Sequence, residues 1–420
     1  MADLRCKAFS LLQNVLEGKN PAFQMQDFDK DDDGAFVTML TLTAFRKMAF
    51  IRKILKKLIV KKLSKQNVIA QCALILGSVE LLYMQTPDYA VINSYVNLVK
   101  SKADKFMAGF VNAVLRKISK NKESFLEEDD GEFFTQEFKS LLRKSYSAKV
   151  LAEIEKYAQQ QPALDITCIN DVAAENLGGC RLPLGTIRVQ AKGKINLLPK
   201  YDDGVWWVQD FSSSLAVKML GNINGKKVLE LCAAPGGKTA QLLTGGARVV
   251  CLDVAEERLN VLRENLQRLK MEPDGIVCED GLEFLDKTKD KFDVVVLDAP
   301  CSATGTLRRH PEIVHLKKES DVKKQVALQK LFLEKVDNVL QKNGALLYCT
   351  CSLCKEEGEL QIQKFLDEHP QFKIVNLSDK IPTEIKQVVT KEGFVRVLPQ
   401  HLKKWGGADG FFIACLEKVG

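Results

Sequence analysis

At 420 residues, 46% of them hydrophobic and 27% charged, the chain is long enough for two to four domains with buried cores. Its start, MADLRCKAFSLL, lacks the features of an export signal, and no run of 18 apolar residues occurs, so export and membrane insertion are disfavoured and a cytoplasmic location is expected. The net charge of +7 sits in the first third, where residues 1–122 hold 20 Lys/Arg against 10 Asp/Glu and residues 123–420 hold 41 against 44.

No acidic residue occurs between Asp33 and Glu80, while Arg46, Lys47, Arg52, Lys53, Lys56, Lys57, Lys61, Lys62 and Lys65 recur at helical spacing. With Ile51, Ile54, Leu55, Leu58 and Ile59 on the opposite face, the pattern predicts a basic amphipathic helix. Arg52, Lys53, Lys56 and Lys57 are then candidates for contacts with RNA phosphates, against the plain alternative of a solvated lysine face and a third of a membrane-surface helix. Apolar-periodic stretches at Val68–Tyr83, Tyr89–Val99 and Met107–Ile118 complete an all-helical domain over residues 1–122. The acidic stretch Glu123–Glu132 reads as a linker covering 123–137. Helical periodicity from Phe138 to Tyr157, then short strands at Ala163–Ile169 and Thr186–Gln190, predict a small α+β module over 138–205. From Trp206 onward, apolar runs at Val228–Leu231, Arg248–Leu252, Gly275–Cys278, Phe292–Leu297, Ala345–Cys349 and Phe411–Cys415 alternate with helical segments, which predicts a doubly wound, mainly parallel sheet over 206–420.

Ligands of such sheets sit at the carboxyl ends of the strands, so the residues after each run carry the functional information. The first run leads into Cys232-Ala233-Ala234-Pro235-Gly236-Gly237-Lys238-Thr239, whose glycines let the backbone approach a ligand before a helix starts. Cys232 stands where a nucleoside-triphosphate loop needs glycine, and no G-x-G-x-x-G of a nicotinamide enzyme is present. The second run ends in Asp253, placed for ribose hydroxyls, with Arg258 one turn on; the third ends in Asp280, placed for an adenine edge. An acidic strand end often only caps the next helix, but three in order, with Asp298 as the last, favour S-adenosylmethionine over NAD.

Asp298 opens Asp-Ala-Pro-Cys301, and the fifth run delivers Thr-Cys351-Ser, so two cysteines follow two strands of one site. Cytosine C5 is a poor nucleophile until a thiolate adds to C6, a chemistry that requires a cysteine; Asp298, oriented by Lys238, suits the N3/N4 edge of the base. Most of the twelve cysteines are expected to be reduced core residues. A zinc reading of Cys349, Cys351 and Cys354 with Cys301 is disfavoured because Cys349 belongs to the strand, so no metal is expected.

The blocks VQDFSSSLA, LCAAPGGKT, DAPCSATGTLRRHPEI, YCTCSL and LPQHLKKWGGADGFFIACL, in this order, resemble the RNA cytosine-5 methyltransferases of the Sun/RsmB branch. FMAGFVNAVLRK and ALILGSVELLYMQTPDYAVINSYVNLVK resemble the NusB-like helices of that branch. The resemblance implies a multi-domain chain: an all-α NusB-like RNA-binding domain, a small α+β module and a Rossmann-like class I methyltransferase domain. It implies S-adenosylmethionine held by Cys232 to Lys238, Asp253, Arg258, Asp280 and Asp298, with Cys351 attacking C6 and Cys301 assisting release. It further implies a small-subunit (16S) ribosomal RNA partner, touched by Arg308, Arg309 and His310, and a monomer with no membrane partner. Where the family often shows Glu-Asn-Glu, this chain has Glu357-Gly358-Glu359. The opposing expectations are a catalytically idle RNA-binding or ribosome-assembly factor and a methyltransferase acting on another RNA such as tRNA.

Overall fold

A helix that is apolar on every side has to bury every side. Val68–Tyr83 is such a helix, buried from Ala70 to Leu82 almost without a break. The computed structural model describes residues 2–21, 32–59, 67–103, 105–170, 177–190 and 193–419, which divide into two units. One comprises residues 1–140 with 309–317, the other 141–308 with 318–420.

In the helical unit, α1 (Ala2–Leu16), α2 (Asp32–Leu58), α3 (Val68–Tyr83), α4 (Asp88–Lys102) and α5 (Lys105–Lys120) share one hydrophobic cluster. At Gly77 of α3 an added Cβ would lie 2.9 Å from Leu115 and 3.1 Å from Tyr95, so the helices cross where there is no side chain. By length and composition alone Gly34–Leu58 would suffice to cross a bilayer. Val37, Leu40, Ala44, Phe45, Met48 and Ile51 of this helix are instead fully buried in the helical core. An ion pair lies in that core: the Glu80 carboxylate accepts from Arg5 Nε at 2.9 Å, from Arg5 Nη2 and from Tyr95 Oη at 3.1 Å.

The acidic stretch expected as a linker folds onto the lysine face of α2. After the short α6 (Lys122–Glu127), Asp129 pairs with Lys47 at 2.5 Å, Asp130 and Glu132 with Lys53 at 2.8 Å each, and Glu128 with Lys57 at 2.6 Å. Opposite charge explains the difference, since the one strongly basic helix and the one strongly acidic stretch neutralise each other. Lys61, Lys62 and Lys65 lie outside the described residues. Residues 309–317 also belong to this unit: Val314 O accepts from Thr135 Oγ1 at 3.2 Å, and the His315 ring meets Phe45 O at 2.8 Å.

The second unit starts with α7 (Ala148–Ala158) and a four-stranded sheet in the order β2-β3-β1-β4. Its strands are β1 (Leu164–Cys168), β2 (Cys180–Arg181), β3 (Ile187–Val189) and β4 (Trp206–Val208). The expected boundary at 205 is bridged, because β4 pairs antiparallel with β1. Arg188 adds a second tie, gripping Asp165 through two 2.7 Å bonds while donating to Trp405 O and Gly407 O at 2.6 Å.

The larger sheet contains β5 (Lys227–Leu231), β6 (Arg248–Asp253), β7 (Gly275–Cys278), β8 (Phe292–Asp298), β9 (Leu340–Thr350), β10 (Phe372–Ile374), β11 (Val395–Val397) and β12 (Phe411–Lys418). Along it the order is β10-β12-β9-β8-β5-β6-β7, with β11 paired to β12. Strands β5 to β9 are parallel, and β10, β11 and β12 join antiparallel, so the sheet is mixed. Both faces are buried, which is why its central strands read as unbroken apolar runs. The chain leaves β5 first toward β6 and later returns to β8 on the other side, placing a crevice at the ends of β5 and β8.

Candidate active site

The turn after β5 holds a left-handed backbone at Cys232 (φ 61°) and Gly236 (φ 101°) before the helix Gly237–Thr244 begins. At Gly236 a Cβ would be strained by φ and would press on Leu262 at 3.2 Å, so glycine is required. Ala233 N donates to Leu252 O at 3.0 Å, Ala234 N to Asp253 Oδ2 at 3.2 Å, and Arg258 Nη2 to Ala234 O at 2.6 Å. The Asp253 carboxylate, expected to face a ribose, is buried and turned toward this loop; Arg258 Nη1 reaches its Oδ1 at 3.4 Å. Asp280 is exposed and caps the helix Gly281–Lys287, its Oδ1 accepting from Leu282 N at 2.9 Å and Glu283 N at 3.1 Å, which is the ordinary capping alternative.

Asp298 and Cys349 sit opposite each other in the β8/β9 register, and Ala299 N donates to Cys349 O at 2.9 Å, so the loops carrying the two cysteines emerge side by side. Cys301 Sγ and Cys351 Sγ are 3.4 Å apart and partly exposed. Contact with Cys351, then burial, pushes the Cys301 thiol well above the usual cysteine range. Asp298 accepts from Lys238 Nζ at 2.7 Å on Oδ2 and from Cys349 Sγ at 3.5 Å on Oδ1. Burial opposes the Lys238 charge, but the Asp298 carboxylate outweighs it and raises the ammonium above the usual lysine value. Backbone contact fixes the arrangement: Gly305 N donates to Cys351 O at 2.9 Å and Gly410 N to Gly305 O at 2.8 Å, leaving a Cβ on Gly305 only 2.0 Å from Gly410 O.

Of the other thiols, Cys72, Cys251, Cys349, Cys354 and Cys415 are buried, Cys6, Cys168 and Cys232 half-buried, and Cys180 and Cys278 exposed. Burial pushes Cys72, Cys232 and Cys354 up to about 12 and Cys415 to about 11. Cys349 faces Asp298 and Cys354 faces Thr304, so the four cysteines of the zinc reading do not converge; among the described residues no His, Cys, Asp or Glu group of three or more is arranged to hold a metal.

Arg308 is buried in the second unit with Nη2 donating to Gly406 O at 2.7 Å, whereas Arg309 and His310 belong to the helical unit, His310 Nδ1 lying 3.2 Å from Glu312 Oε1. Arg52, Lys53, Lys56 and Lys57 are all exposed on α2, and Lys53 and Lys57 already face carboxylates. Two groups at the site escaped the sequence reading. Glu230 on β5 is fully buried against Thr239, whose Oγ1 donates to it at 2.7 Å, and desolvation raises its carboxyl to about 8. Arg396 explains the glycine in Glu357-Gly358-Glu359: its guanidinium donates to Glu359 Oε1 at 3.0 Å and would lie 2.3 Å from a Cβ at Gly358. A buried glutamate inside a strand is a local cue that could have found the first; the second has no local cue.

Residues 4–120 match the NusB family and residues 217–417 match the 16S rRNA methyltransferase RsmB/F family. The ribosomal RNA small subunit methyltransferase B of Pasteurella multocida (strain Pm70) is 31% identical over 97% of this chain and 94% of its own. That of Photorhabdus laumondii is 30% identical over 94% and 93%. Among solved structures, PH0851 shares the fold over 98% of both chains with a TM-score of 0.76 at 21% identity. NSun6 from Pyrococcus horikoshii, solved with SFG, covers 69% of this chain and 99% of its own with a TM-score of 0.57 at 19% identity.

Proposed function

Since the chain belongs to the 16S rRNA methyltransferase RsmB/F family, we propose that it transfers the methyl group of S-adenosylmethionine to C5 of a cytosine in small-subunit (16S) ribosomal RNA. The observation that carries this reading is the facing pair of thiols, 3.4 Å apart, beyond the ends of two parallel strands, one of which closes on Asp298 with Lys238 from the helix after β5 bonded to it.

The loop from Cys232 to Lys238, with Arg258 and the carboxylates of Asp253, Asp298 and, through the oxygen not used in its helix cap, Asp280, would hold the cofactor. The left-handed turn at Gly236 and the helix start at Gly237 suit a ligand brought close to backbone N–H groups. When bound, S-adenosylmethionine supplies an electrophilic methyl group. Cys351 Sγ adds to C6 of a cytosine drawn out of its stack, and the electron pair displaced from the C5–C6 bond makes C5 nucleophilic. Asp298, braced by Lys238 on Oδ2, meets the N3/N4 edge and orients the base for attack at C6. Cys301 assists release, in which a base takes the C5 proton, the C5–H electron pair re-forms the C5–C6 double bond, and Cys351 leaves C6 as a thiolate. Arg52, Lys56, Arg309 and His310 are the candidates for RNA contacts, and the twelve free cysteines suit a reducing cytoplasm.

The test is incubation with deproteinised small-subunit rRNA and labelled S-adenosylmethionine, followed by mapping of 5-methylcytosine. Cys351→Ala abolishes methylation and forms no adduct, while Cys301→Ala leaves a denaturation-resistant protein–RNA adduct. Absence of incorporation by the unaltered protein overturns the activity, and the reverse adduct pattern overturns the assignment of the cysteines.

A further inference from the structure

Six residues after Cys351, Glu357 is fully buried beneath the two cysteine loops. Its Oε1 accepts from Ser302 N at 2.7 Å and Gln329 Nε2 at 3.3 Å, and its Oε2 accepts from the hydroxyls of Ser302 and Ser352. Ser302 follows Cys301 and Ser352 follows Cys351, so one carboxylate grips the residue next to each sulfur. Thr304 reinforces the link, its Oγ1 lying 3.2 Å from Ser302 Oγ and 3.1 Å from Ser352 Oγ while accepting from Leu353 N at 2.9 Å. The Glu357 carbonyl is pinned to β9 by Tyr348 Oη at 2.9 Å and Thr350 Oγ1 at 3.3 Å.

We infer that Glu357 is a positioning residue for methyl transfer: it sets the separation of the Cys301 and Cys351 sulfurs so that addition to C6 and release from it occur without rearrangement of either loop. The inference rests on the function proposed above. Glu357 is bonded to neither sulfur; it acts through Ser302 and Ser352. A carboxylate suits the task because two oxygens can take four donors arriving from three segments of chain. Burial raises the Glu357 carboxyl above its usual value even with these donors around it, which is the energetic cost of keeping an acid here. Reacting groups misplaced by about 1 Å lose about 10²-fold in rate, so a tie of this kind is worth its burial.

The serines allow the two arms to be cut separately. Adduct formation is followed in a Cys301→Ala background, and release is followed in the otherwise unaltered protein, both with deproteinised 16S rRNA. Ser352→Ala is expected to slow adduct formation about tenfold or more, whereas Ser302→Ala leaves formation within about threefold and makes adduct accumulate. Glu357→Ala is expected to lower kcat about 10²-fold with KM for RNA and cofactor affinity little changed. Glu357→Gln should recover most of that loss, since the serine hydroxyls can reverse and accept from its amide. Equal losses in Glu357→Ala and Glu357→Gln, or a folded Glu357→Ala with kcat within about threefold, would overturn the inference. If Glu357→Ala does not fold, identical behaviour of the two serine variants overturns it. A reversed adduct pattern in the cysteine variants sinks the cysteine roles instead, because the difference between the serine variants then persists with its sense exchanged.

Discussion

Replacing Glu230 by Gln should make the methylating unit more stable at alkaline pH and no different at acid pH. The unfolded carboxyl titrates near 4.5, whereas desolvation inside the sheet raises the folded one to about 8. Below pH 4.5 both states hold the proton and nothing is lost. Between the two values the unfolded chain gives up its proton while the folded chain keeps it, so stability falls as pH rises, by about 1.4 kcal/mol per unit. Above pH 8 the folded state bears the whole cost, on the order of 5 kcal/mol. Gln retains an oxygen for the Thr239 hydroxyl, which donates at 2.7 Å, and cannot ionise. Urea unfolding followed by tryptophan fluorescence reports this unit selectively, because Trp206, Trp207 and Trp405 all lie in it. The two proteins should unfold together near pH 4.5 and diverge progressively up to about pH 8, with the variant the more stable. A difference that stays constant across that window would refute burial as the origin of the shift.

Arg5→Met should destabilise the helical unit by about 3–5 kcal/mol, because it strands the Glu80 charge in a core with Tyr95 still bonded to it but no counter-charge among the described residues. Adding Glu80→Gln should restore most of the loss in thermal melts read by circular dichroism; equal melting of the single and double variants would count against it. Lys53→Ala should leave the salt dependence of 16S rRNA binding unchanged, since Asp130 and Glu132 already occupy its ammonium, whereas Lys56→Ala should lower the slope by about one unit. Filter binding over a salt series tests this, and a Lys56→Ala slope equal to that of the unaltered protein would remove Lys56 from the RNA surface.

Legibility in the sequence followed the range of the forces. The central strands were readable nearly to the residue because burial on both faces leaves a largely apolar run, as in Lys227–Leu231 and Phe292–Asp298. Three-residue strands such as Trp206–Val208 and Val395–Val397 escaped, being too short for any period to register. Charge pairing across distance was the larger omission: nothing near Lys53 announces Asp130, 77 residues on, and nothing near Ser302 announces Glu357, 55 residues on. Strand ends pointed to Asp253 and Asp280, but only geometry distinguishes a carboxylate turned into its own loop from one capping a helix.

The return of residues 309–317 to the helical unit has a consequence for synthesis. A nascent chain that has emerged only to residue 140 lacks the carbonyl of Val314 for Thr135, the ring of His315 for Phe45 O and the apolar cover of Leu316. Translation at about 5–20 residues per second leaves a wait of roughly 10–35 s before that piece is made. Throughout that interval the helical unit exists as an incomplete core with a uncovered apolar seam, so the ribosome exit site, rather than the finished enzyme, is where this unit is most exposed to holdase chaperones and to aggregation.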